Sequence, residues 1–117
     1  MASRFVSYLV SDGVHVLELV LPDSMDSLEF DSLNEHVDIM LAKADGAWVV
    51  DLAGTNYVGS AVLGLLINIR QRLKSRGVTL VLCGLSERLQ EIFDAGSLGR
   101  LFVVERSRTE AIASLKE

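Results

Sequence analysis

The sequence is poor in the features that mark many functional classes. It holds a single cysteine, Cys83, within the apolar run Val78 to Cys83. One thiol can form neither an internal disulfide nor a cysteine-based metal cluster, so Cys83 reads as a buried thiol. A single proline and no low-complexity stretch leave no sign of a disordered tail. No window approaches the roughly 20 apolar residues needed to cross a bilayer, and Met1 to Leu9 carries one arginine and no long apolar segment. The expected location is therefore the cytoplasm, without membrane insertion. Basic residues are outnumbered, and the net charge of -5 works against direct binding to nucleic acid or to anionic lipid.

What is present is a great deal of apolar residue: half of the 117 positions are hydrophobic. That length suits one domain, expected over residues 1–117. Tyr8 to Val10 and Val14 to Leu21 are β-rich runs separated by the turn formers Ser11, Asp12 and Gly13, which suits a hairpin. Leu33, Val37, Met40, Leu41 and Ala44 then form a helical stripe, with Glu29, Asp31, Glu35 and Asp38 on the other faces. Asp26 and Glu29 have the spacing of a capping box at its start, and Asp45 and Gly46 the character of its stop.

Trp48 to Leu52 and Val78 to Cys83 do not alternate with polar residues and read as strands covered on both faces. Between them, Ser60 to Arg76 carries a second stripe of Val62, Leu65, Leu66, Ile69 and Leu73, with Gly77 in the stop position. Arg70, Arg72, Lys74 and Arg76 crowd its last turns, complementing the negative end of the helix. A third helix is expected over Ser86 to Ala95, a last strand over Phe102 to Val104, and a final helix opened by Ser107 and Glu110. The order implies an α/β fold: a mixed sheet of about five strands with right-handed crossovers and four helices.

The chain carries no recognisable catalytic constellation. His15 on a strand and His36 on the first helix have neither a nucleophile nor a metal ligand at motif spacing, so no enzyme, metal or cofactor is expected. The segment Gly54 to Gly59 leads from a strand into a helix, which opens a nucleotide-sensor reading. It lacks the lysine of a phosphate-binding P-loop and the glycine spacing of a dinucleotide fingerprint. Ser60 is the most informative residue. A serine at a helix start can cap free amides, and those amides with the helix dipole favour an added phosphate. Leu63, Gly64 and Ile67 lie off the main apolar stripe of that helix and call for cover from neighbouring helices or a partner.

Trp48 to Leu66, WVVDLAGTNYVGSAVLGLL, resembles the hallmark of the STAS family: a strand, a short loop, Asp-Ser-Ser-Gly and a leucine-rich helix. Upstream, Asp26 with Leu28 and Leu33 is similar to the family's aspartate and helix after the second strand. Downstream, SERLQEIFDAGSLGRLFVVERSRTEAI resembles its closing elements. The resemblance is to the anti-sigma factor antagonist type, and it implies the phosphate acceptor at Ser60. The motif is degenerate: Gly59 stands at the place of the aspartate, Ala61 at that of the second serine and Val62 at that of the glycine. The expected function is a protein-binding module in bacterial transcription regulation. Its face of Asp26, Gly59, Ser60, Leu63, Gly64 and Ile67 docks an anti-sigma factor or serine kinase-like regulator and is switched by phosphate on Ser60. The alternative is a non-phosphorylated scaffold subunit of a lipid-trafficking ABC transporter or stress-signalling assembly. A weak homodimer is also admitted.

Overall fold

A computed structural model of the chain describes residues 4–43, 46–56 and 58–116. The expected stripe residue Ala44, the expected helix stop Asp45 and the loop residue Tyr57 lie outside them. In chain order the elements are β1 (Val6–Ser11), β2 (Val14–Leu19), α1 (Ser27–Leu41), β3 (Trp48–Asp51), α2 (Ser60–Ser75), β4 (Leu80–Cys83), α3 (Glu87–Ala95), a 3-10 turn (Ser97–Arg100), β5 (Val103–Glu105) and α4 (Arg108–Leu115).

The five strands lie side by side in sequence order. β1 and β2 are antiparallel, and β2 through β5 are parallel. The mixed α/β architecture is the expected one. The β1–β2 connection is a two-residue turn in which Asp12 and Gly13 both take positive φ, 52° and 78°, as the twist of a tight hairpin requires. Successive residues of β3 and β4 feed opposite faces. Trp48, Val50, Leu80 and Leu82 join the large core with α1, α2 and α3, while Val49, Val81 and Cys83 pack with Ala111 and Ile112 of α4. These strands lack polar alternation because helices cover both of their sides.

Element ends depart from sequence expectation where a distant group captures the backbone. The second strand stops at Leu19, not Leu21, because Thr55 Oγ1 donates to Leu19 O (2.7 Å) and accepts from Leu21 N (3.0 Å), in place of a neighbouring strand. The fourth starts at Leu80, not Val78, because Val78 N donates to Leu73 O (2.9 Å) and Gly77 N to Lys74 O (3.0 Å). That pair of bonds closes α2, with Gly77 at φ 72°. α1 ends at Leu41, ahead of the expected stop, and Arg76 donates to the carbonyl of Leu41 (3.1 Å). The basic residues at the end of α2 thus do more than complement its dipole, since Arg72 also pairs with Asp38 of α1 and Arg70 donates to Leu101 O. The last strand is displaced by one residue from expectation, to Val103–Glu105, while Phe102 turns inward against Phe93 with ring centroids 5.7 Å apart.

Candidate functional site

Five of the expected docking residues, Gly59, Ser60, Leu63, Gly64 and Ile67, lie at the start of α2, while the sixth, Asp26, is the N-cap of α1. Gly59 is the N-cap residue, with extended backbone and no side chain to bond the first amides. Ser60 follows as the first helical residue and is exposed. The capping role considered for Ser60 is therefore corrected: the serine sits one position too far along, inside the helix, where its hydroxyl does not serve as the cap. Each of the other three α-helices has both a side-chain cap, from Asp26, Ser86 or Ser107, and an acidic residue in its first turn. α2 has neither. The first turn of α2 thus supplies neither a cap nor a counter-charge of its own at the serine.

Ser60, Leu63, Gly64 and Ile67 follow helical spacing and share one face. Leu63 and Ile67 are half-buried, leaning on the main core, whereas Gly64 is exposed. Beside this face opens a cleft of about 290 Å³ between the α2 start and the segment after β2, with Pro22, Asp23, Met25 and Phe30 across from Gly59 and Ser60. Asp26 stands just beyond that wall. Its carboxylate accepts from Glu29 N (2.8 Å) while Glu29 accepts from Asp26 N (3.2 Å), completing the capping box of α1. Asp26 is exposed but does not line the cleft. Sequence reasoning missed the cleft wall, and it placed Leu28 on the first helix without marking its exposure, 79% in the first turn of α1. The signal for Leu28 was available: it falls off the stripe of Leu33, Val37 and Leu41.

The loop before α2 is braced from both sides. Thr55 is buried and bonded to the end of β2, Gly54 lies so close to Val20 that an added Cβ would stand 2.8 Å from its Cγ2, and Ser86 donates to Asn56 O (2.9 Å). Thr55 is thus spent on the fold.

A second polar cluster, unmarked in the sequence reading, occupies the carboxyl ends of the parallel strands on the α4 side. Arg108 donates to Asp51 Oδ2 (2.9 Å) and pairs with Glu18, while Asp51 Oδ1 accepts from Ala53 N (2.9 Å). Burial alone would lower the Arg108 pKa, but the bonds to Glu18 and Asp51 outweigh it and hold the guanidinium more firmly protonated than usual. Cys83 lies beside this pair. Burial first, and the nearby Asp51 carboxylate second, push its thiol up to about 12. The thiol is buried, as expected, and is a poor nucleophile near neutral pH. His15 Nδ1 sits 2.8 Å from Tyr8 Oη in a stack that includes Trp48. Among the described residues no group of three or more His, Cys, Asp or Glu could hold a metal ion, and no helix is long and apolar enough to cross a membrane.

The sequence matches the STAS domain family over residues 6–111. The chain belongs to the STAS domain family. Among its relatives, BtrV of Bordetella bronchiseptica, which carries the name of an anti-sigma factor antagonist, is 27% identical over 92 residues, 79% of each chain. A STAS domain protein of Planctomyces limnophilus, an anti-sigma-factor antagonist by name, has the same fold with a TM-score of 0.83 at 17% identity, over 96% of this chain and 98% of that one. SpoIIAA of Bacillus, an anti-sigma factor antagonist solved in unphosphorylated and phosphorylated forms, superposes with TM-scores of 0.72 and 0.65 at 14% and 15% identity. The two comparisons cover 95% and 93% of this chain and 96% and 97% of the SpoIIAA chains.

Proposed function

We propose that this STAS domain is an anti-sigma factor antagonist. It acts in the cytoplasm by protein binding and not by catalysis, and docks a kinase-like anti-sigma factor through a face built from the first turns of α2 and the start of α1. The docking face comprises Asp26, Gly59, Ser60, Leu63, Gly64 and Ile67. The observation that carries this reading is the placement of Ser60: exposed, first in its helix, and preceded by a residue that cannot cap. A partner reaches the hydroxyl without disturbing the core.

A phosphate on Ser60 adds roughly -1.5 to -2 charges. It would meet amides of the α2 start that no side chain caps, so the domain itself tolerates it. The partner does not: docked over half-buried Leu63 and Ile67, it would have to desolvate a dianion in a partly apolar contact. Modification therefore releases the partner while leaving the fold intact. A chain of net charge -5 is a poor ligand for nucleic acid, and the control it exerts on transcription is indirect.

Capture of candidate anti-sigma factors by the wild type and by Ser60→Asp tests the switch. Capture by the wild type with loss in the variant is expected, and equal capture removes the switch. Gly59 in place of an acidic residue beside Ser60 favours a second reading, a permanent scaffold bound through the same helix. A phosphate-affinity gel of the protein from its native cell separates the two, since a single unshifted band across growth conditions supports the scaffold.

A further inference from the structure

The sheet has two edges of unequal character. β5 is three residues long and is followed at once by Arg106. β1 runs for six residues, VSYLVS, with no charge and no proline, and leaves Val10 54% exposed. Edge strands are ordinarily short, charged, bulged or covered, because their open amides and carbonyls recruit other strands. β1 has none of the compositional protections.

The hairpin dictates which groups face outward. Ser11 and Val14 flank its two-residue turn, and Val20 N donates to Phe5 O (2.9 Å) at the other end. Hydrogen-bonded pairs alternate along an antiparallel ladder, so positions 5, 7, 9 and 11 spend their backbone groups on β2. Val6, Tyr8 and Val10 aim theirs at the outer edge, which no other strand covers among the described residues.

We propose that β1 pairs antiparallel with β1 of a second copy about a two-fold axis at Tyr8, joining the two sheets into one. This register sets Tyr8 opposite Tyr8 and Val6 opposite Val10, so every outward-facing residue meets another and each pair exchanges two N–H···O bonds. A slip of one residue would oppose open groups to spent ones. The same register carries Arg4, just before β1, towards the turn residue Asp12 of the other copy at both ends of the ribbon. Both side chains are exposed, 81% and 69%, and their own-chain ion pairs are long, 3.6 Å from Arg4 to Glu29 and 3.7 Å from Asp12 to Lys116. Arg4 also lies over the Phe5 ring, 4.9 Å from its centroid. This charge pattern identifies the occupant. An isologous interface needs a self-complementary strip, and a strip with a cation at one end and an anion at the other meets that condition only when antiparallel to itself. The paired strip is small, so the association is weak and depends on concentration.

The dimer is independent of docking at Ser60, and the failure of either leaves the other standing. Sedimentation velocity of the full chain across a concentration series at low salt tests it, with thermal melts confirming that each variant is folded. The wild type passes from monomer to dimer. Arg4→Glu and Asp12→Lys, each of which sets like charges opposite one another, weaken association by about tenfold, and the double variant restores it to within about threefold. Amide exchange at Val6, Tyr8 and Val10 slows as concentration rises. A monomer at every concentration overturns the proposal, as does a dimer indifferent to the single reversals or not recovered by the double.

Discussion

Gly64→Ala separates the stability of the fold from its use of α2. Gly64 is the fifth residue of the helix Ser60–Ser75, and a Cβ built there meets nothing within 4 Å. The substitution therefore carries no packing cost, and the helix gains the difference between alanine and glycine in a helix interior, about 0.8–1 kcal/mol. For a domain of this size that gain raises the melting temperature by about 4 °C. The same methyl stands one turn beyond Ser60 on the proposed docking face, where it holds a closely approaching partner away, and capture of the anti-sigma factor is expected to fall about tenfold. Urea unfolding measures the first effect and titration binding with the captured partner the second. A less stable variant would refute the open placement of Gly64, and a more stable variant that binds as the wild type does would remove Gly64 from the docking face.

Three further outcomes follow from the core. Gly84→Ala should cost about 3 kcal/mol in urea unfolding, because φ is 73° and the new Cβ would lie 2.9 Å from both Ala53 N and Asp51 Oδ1. Arg108→Met should cost about 2–3 kcal/mol by the same assay, less than for a fully buried pair because the side chains of Arg108 and Glu18 are 30% and 36% exposed. A loss below about 0.5 kcal/mol would make the cluster no more than a surface pair. Cys83 should resist alkylation at pH 8 while the chain is folded. Because its pKa rises on folding from 9.0 to about 12, its contribution is complete below pH 9 and is lost as pH climbs from there towards 12. Wild-type stability should thus fall more steeply across that window than that of Cys83→Ala, and parallel curves would contradict the buried thiol.

The order and type of the elements are legible in local pattern. The stripes of α1 and α2, the hairpin turn and the caps at Asp26 and Ser107 each depend on residues a few positions apart. What escapes is set by long-range contact. Thr55 ends β2 from 36 positions away, and Arg108 reaches Asp51 across 57. Neither pairing leaves a periodic trace, so the polar cluster above the strands was invisible. At Ser97–Arg100 the resemblance implied a leucine-glycine turn but not its 3-10 form, since four residues are too few to show a period. At the candidate site the serine and its helix were legible. The one-residue distinction between capping the helix and beginning it was not, because it depends on the backbone angles of Gly59.

The bracing of the loop before α2 bears on how fast a partner can be captured. Threonine and serine hydroxyls from opposite sides clamp Thr55 and Asn56 before any ligand arrives, so these two residues have little conformational entropy left to lose on association. Encounter, not rearrangement of this chain, then governs the association rate. The strength of the complex is left to dissociation, the step on which the proposed phosphate at Ser60 would act most directly.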